Sequence, residues 1–166
     1  MISDPALPVW KSELDAIVGA RHGGQVEHVR GLLEKLDARF PNVAEIAYQL
    51  AWSSDVPGRE RDALPHYERA IALGLPANEL AGALIGLAST LRAVGQAERA
   101  AEVLRSGRVQ FPDHREFEIF LALALHDLGQ HREAMQLALS ALIETTEDPG
   151  ITTYQRAIRF QLGKLR

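Results

Sequence analysis

The sequence predicts an all-α protein, a right-handed α-solenoid of antiparallel helix pairs with a C-terminal capping helix. Three observations predict it. One pattern is written twice: Leu87, Ala88, Leu91, Val94, Gly95, Gln96 and Ala100 recur as Leu121, Ala122, Leu125, Leu128, Gly129, Gln130 and Ala134, every matched pair 34 residues apart. A period of that length holds two helices and a turn, a unit that buries its apolar side against its neighbours rather than in a core of its own. Gly24, Gly58, Gly95 and Gly129 then fall 34, 37 and 34 residues apart, marking a turn inside each pair. Between them, apolar residues recur at helical spacing.

The elements follow in order. Residues 8–42 are expected to form a degenerate helix pair. Val9, Leu14, Ile17 and Val18 recur over Pro8 to Arg21, and Gly23 with Gly24 ends that helix. Val26, Val29, Leu32, Leu33 and Leu36 share one face of Gln25 to Phe40, which stops at Pro41. The repeat over 43–77 opens with a helix from Val43 to Ser54 carrying Val43, Ile46, Ala47, Leu50 and Ala51. It returns from Arg59 to Leu73 on the stripe Ala63, Leu64, Tyr67, Ala70 and Ile71. Pro65 is read as lying near the first turn of that helix, where a missing N–H costs least.

The repeat over 78–112 is expected to start on Asn78 as a cap, run to Val94 and return from Gln96 to Gln110. The three extra residues of the long glycine interval fit the connection at Gly74 to Glu79, since inside a helix they would turn the apolar stripe away from its neighbour. In 113–148, Asp113 is the expected cap of a helix to Leu128, His131 to Ile143 returns, and Glu144 to Gly150 is a polar loop. Over 150–166 a capping helix is expected to turn Tyr154, Ile158, Leu162 and Leu165 to one side.

Composition narrows the function classes. With 166 residues, 46% hydrophobic and 24% charged, the chain suits one folded domain of about four to five such units. Eighteen basic and twenty-two acidic side chains leave a net charge of -4 with no basic cluster, so no nucleic-acid partner is expected. The absence of cysteine removes disulfides, zinc-thiolate sites and thiol nucleophiles. Met1 to Val9 lacks the basic start and apolar run of an export signal, and Leu80 to Leu91 is too short to span a bilayer. The expectation is a cytoplasmic protein with no membrane partner.

These residues resemble the tetratricopeptide repeat family, whose 34-residue pattern runs W-x2-L-G-x2-Y, A-x3-F, P. Leu87-Ala88-x2-Leu91 and Leu121-Ala122-x2-Leu125 match the first helix, with alanine for the packing glycine. Ala63-x3-Tyr67 matches the second, Ala100 pairs with Leu104 and Ala134 with Ala138, and Pro41 and Pro112 hold the terminal position. Ala47, Leu84 and Glu118 stand where the family has tryptophan, and Ser54 replaces its tyrosine. The resemblance covers Gln25 to Glu144, and it looks like that of a small stand-alone bacterial repeat protein.

The resemblance implies a noncatalytic protein-protein interaction module that binds a peptide or helix segment in a concave groove lined by the first helices. In this register the groove carries Tyr48, Trp52 and Asp55, then Ile85, Ser89 and Arg92, then Ile119, Leu123 and His126, with Arg156 and Phe160 at the far end. Trp52 has two readings, packing between units or facing a ligand. Gly82 and Gly86 likewise either admit a partner's backbone or allow close helix packing. The Lys and Asn carboxylate clamp of some family members is missing. The expected ligand is apolar, meeting Trp52, Ile85, Ile119 and Leu123, with an acidic group at Arg92. A homodimer whose groove or end helix holds a second copy is the alternative.

Catalysis, a cofactor and a metal are not expected. His22 with His28, or His126 with His131 and Glu133, would have to converge across turns, and neither pair has the i, i+4 spacing that puts ligands on one helix face. Gly19 to Gly24 is glycine-rich but follows a helix and lacks the Lys-Ser or Lys-Thr of a phosphate loop. The paired carboxylates, such as Glu98 with Glu102, lie on polar helix faces without a shared cleft.

Overall fold

The computed structural model describes residues 8–20, 26–56 and 59–165. Among them the chain forms nine α-helices and no strand: α1 (Val9–Gly19), α2 (Val26–Arg39), α3 (Ala44–Ser54), α4 (Glu60–Leu73), α5 (Ala77–Ala93), α6 (Ala97–Gln110), α7 (Glu116–Asp127), α8 (His131–Thr145) and α9 (Pro149–Leu162). The fold is all-α, of the helix-pair solenoid class. The described residues group into two compact units that divide between Gly86 and Leu87, inside α5. Gly24 and Gly58, two of the four expected turn glycines, lie outside the described residues, as do Arg21 to Gln25.

In the first unit, Leu14 and Ile17 of α1, Val29, Leu33 and Leu36 of α2, and Ile46 and Leu50 of α3 form one buried cluster, with Trp10, Leu32, Phe40 and Val43 packed against it. α3 lies along α4, where Ala63, Tyr67 and Ala70 make the buried stripe. In the second unit, Leu91, Leu104, Phe117, Leu121, Leu125 and Ile143 are fully buried, and α7 packs against both α6 and α8. Alanines at 88, 100, 101 and 124 are also fully shielded, which keeps the helices close.

The two copies of the repeated motif close their first helices in the same way. Gly95 and Gly129 sit at φ 82° and 74°, a left-handed region that costs a residue with a Cβ. Gln96 N–H donates to the Leu91 carbonyl at 2.8 Å and Gly95 N–H to Arg92 at 2.9 Å; Gln130 N–H donates to Leu125 at 2.8 Å and Gly129 N–H to His126 at 2.9 Å. This is the Schellman arrangement, in which backbone donors alone satisfy the last helical carbonyls. An added Cβ would meet no atom within 4 Å at either glycine, so conformation alone sets the penalty. Gly95→Ala and Gly129→Ala are each expected to lose about 1–2 kcal/mol, read from urea unfolding midpoints.

Several expectations are corrected. Asn78 is not a cap: α5 already begins at Ala77, and the Pro76 carbonyl accepts from Glu79 N–H at 2.9 Å and Leu80 N–H at 2.8 Å. Asp113 does not cap α7, whose N-cap is Arg115 without a side-chain bond. There an aromatic cluster decides the path, with Phe111 stacked on Phe117 at 5.9 Å and His114 edge-on to both. Asp148 caps α9 instead, its Oδ1 accepting from Ile151 N–H at 3.0 Å. Pro65 lies beyond the first four positions of α4, so it removes a hydrogen bond the helix would otherwise make. On α9 the inward meridian runs through Ile151, Gln155, Ile158 and Leu162, which leaves Tyr154 and Leu165 exposed at 64% and 37%.

Candidate functional site

In the first unit the aromatic pair on α3 divides its roles. Tyr48 is half-buried, its ring centroid 6.3 Å from that of Tyr67, whereas Trp52 remains 47% exposed. An added Cβ at Gly82 would come within 2.7 Å of the Tyr48 hydroxyl oxygen, and one at Gly86 within 2.5 Å of Tyr67 Cζ. Both glycines therefore make room for tyrosines of their own unit, the packing reading of the two left open by the sequence. Asp55 is also engaged: its Oδ2 accepts a hydrogen bond from the buried Tyr67 hydroxyl at 3.1 Å. Burial pushes that phenol well above its ordinary range, and the adjacent Asp55 charge and hydrogen bond push it the same way. Ile85 is half-buried.

In the second unit Arg92 and Asp127 form an ion pair with Nε 2.7 Å from Oδ2, and Ser89 is half-buried beside them in sequence. The guanidinium expected to meet a ligand already has an acidic neighbour, contributed from the end of α7. Ile119 and Leu123, one turn apart on α7, stay 41% and 43% exposed. Leu123 opens onto a shallow depression of about 390 Å³ lined by Ala122, Leu123, His126, His131, Ala134 and Met135. His126 and His131 come together across the Gly129 turn, with Nδ1 atoms 3.0 Å apart and ring centroids 4.6 Å apart. The turn supplies the convergence that five-residue spacing on one helix would deny. On α9, Arg156 and Phe160 are exposed, and Lys164 Nζ lies 4.0 Å from the Phe160 centroid, a cation–π contact.

A second recess, polar and of about 400 Å³, lies between Arg108 of α6, Arg115 at the N-cap of α7, Glu118 of α7, and Gln136 and Glu144 of α8. Glu118 is only 7% exposed; its carboxylate accepts a hydrogen bond from Arg115 at 3.2 Å and pairs with Arg108 at 3.3 Å, while Arg115 also reaches Glu144 at 3.2 Å. Among the described residues, no group of three or more His, Asp or Glu side chains is placed to hold a metal ion. His22 lies outside them.

The family model for the tetratrico peptide repeat matches residues 44–162. The chain belongs to the tetratricopeptide repeat family. Solved structures of similar fold include a MamA protein at 17% identity and TM-score 0.71, covering 94% of this chain and 87% of that one. Another, MamA MSR-1 C2, has 19% identity and TM-score 0.67 over 83% of this chain and 78% of that one. A Podosopora anserina protein with nearly identical TPR-like repeats has 21% identity and TM-score 0.69 over 94% of this chain and 87% of that one. No curated protein matches the sequence.

Tetratricopeptide repeats are protein-interaction modules, and that is the class of activity to which this chain belongs. Its departures from the repeat pattern have visible local causes. Glu118, at a tryptophan position of the repeat, is held by the guanidinium groups of Arg108 and Arg115. Met135 and His131, which line the apolar depression, belong to a second helix of the repeat. The expected groove, lined by first helices, did not include Met135, although it lies four residues after His131 on α8. No helix among the described residues is long and apolar enough to cross a membrane.

Proposed function

We propose that the chain is a noncatalytic scaffold repeat, organised as one domain, whose first-helix faces receive a peptide or helical segment of a protein partner. The observation that carries this reading is the apolar face of α7. Ile119 and Leu123 remain more than two-fifths exposed one turn apart, and Leu123 continues into a depression floored by alanine. Such a surface gains by burying a partner's apolar side chain and offers no convergent acid, base and nucleophile. Trp52 gives the first unit a contact of the same kind. Because Arg92 is already bonded to Asp127, an acidic group on the partner must share that guanidinium, so apolar contact contributes most of the affinity.

The test is affinity capture with the wild-type chain and with Trp52→Ala plus Leu123→Ala, each first matched in urea midpoint. Since both side chains are largely surface groups, folding is expected to survive. A specific partner should fall at least about tenfold in recovery, equivalent to ~1.4 kcal/mol. Undiminished recovery removes the groove. Light scattering at low concentration separates the competing occupant: a mass of two chains that falls to one in Leu123→Ala assigns the surface to a second copy.

A further inference from the structure

We propose that His126, His131 and Met135 form a binding site for a copper ion. Two imidazole nitrogens of the same kind face each other here, Nδ1 to Nδ1 at 3.0 Å. A hydrogen bond between them uses one N–H and one lone pair, so the neutral pair shares a single proton across the gap. A metal ion can take that proton's place. With metal–nitrogen bonds of about 2.0–2.1 Å, a 3.0 Å separation subtends roughly 95° at the ion, between the right angle of a tetragonal site and the tetrahedral value. Both rings are exposed, so the small rotation that aims both lone pairs at a common point displaces no packed neighbour.

The third donor selects the metal. Met135 stands one helical turn after His131 on the same face of α8, lines the same depression and is 50% exposed. Thioether with imidazole is a soft to borderline donor set, favouring copper, and Cu(I) in particular, over magnesium or calcium, which require several oxygen ligands. Ala122, Ala134 and Ala138 line the rest of the depression and add no side-chain donor of their own. The site shares its depression with Leu123, so it is tested on the chain without a partner, and its three ligands are none of the residues changed in the partner test.

The test is anaerobic titration of the full chain at neutral pH with Cu(I) against a chromophoric Cu(I) chelator, alongside Zn(II). One ion per chain is expected, bound at least tenfold more tightly than zinc. His126→Ala and His131→Ala should each weaken copper at least tenfold, Met135→Leu should weaken it several-fold, and the combined variant His28→Ala, His66→Ala and His114→Ala should leave it unchanged. Urea midpoints establish that each variant is folded. The Met135 methyl resonance should shift in step with the titration. Copper affinity indifferent to both His126→Ala and His131→Ala overturns the site; a methyl resonance that does not move overturns the thioether ligand.

Discussion

Phe117→Ala is expected to destabilise the chain by about 3–5 kcal/mol, a large share of the stability of an ordinary domain. Phe117 is fully buried, stacks on Phe111 at 5.9 Å and lies over Gly107 of α6. Gly107 is itself informative. A Cβ there would sit 2.7 Å from Phe117 Cδ1 and 2.8 Å from Cζ, too close for a rigid buried ring to yield. Gly107→Ala alone should therefore lose about 1–3 kcal/mol through overpacking, offset in part by the ~1 kcal/mol that alanine gains over glycine in a helix. In the Phe117→Ala background the ring is gone and only the helical gain remains. The glycine substitution should then reverse sign and stabilise. A double-mutant cycle in urea measures this reversal, and additive effects would mean that the two residues do not share the space.

The second large effect is alkaline. Tyr67 holds its proton more tightly in the folded chain than when unfolded, because burial and the neighbouring Asp55 both disfavour the phenolate. Below its ordinary value of 10.0 the phenol is protonated in both states and contributes no pH dependence. Above it the unfolded chain releases the proton while the folded chain retains it, so stability falls by up to ~1.4 kcal/mol for each further pH unit. Tyr67→Phe should remove that share of the slope. Near neutral pH the same change should cost about 1 kcal/mol, because Asp55 loses the hydrogen bond it accepts at 3.1 Å. Urea midpoints from about pH 8 to pH 11 check both parts. A slope identical in the two proteins would place the alkaline loss elsewhere.

The helix pairs were legible because their causes are local and repeated. Leu91 with Gly95 and Leu125 with Gly129 carry the same periodicity and the same left-handed turn, and the backbone bonds match donor for donor. Helix starts were less legible. Asn78 and Asp113 have good capping side chains, but Pro76 and the Phe111–His114–Phe117 cluster set the chain's path before those side chains can act. Packing overrode propensity there. The polar surroundings of the candidate surface were hidden for a different reason. Asp127 lies 35 positions from Arg92, and Tyr67 lies 12 positions from Asp55, distances over which periodicity says nothing about which charges meet. His126 and His131 were legible as a pair that would have to converge across a turn, but helix spacing argued against it, and the fold-back at Gly129 is what brings them together. Gly82 and Gly86 needed the tyrosine rings in place before their role could be read.

Glu118, clasped by Arg108 and Arg115 with Glu144 behind, also bears on how the second unit responds to heat. Ions are drawn out of water at a penalty that shrinks on warming, whereas the return from each square ångström of hidden hydrocarbon levels off. The carboxylate and its two half-exposed guanidinium clasps are therefore expected to lose less of their contribution on warming than an apolar contact of the same size.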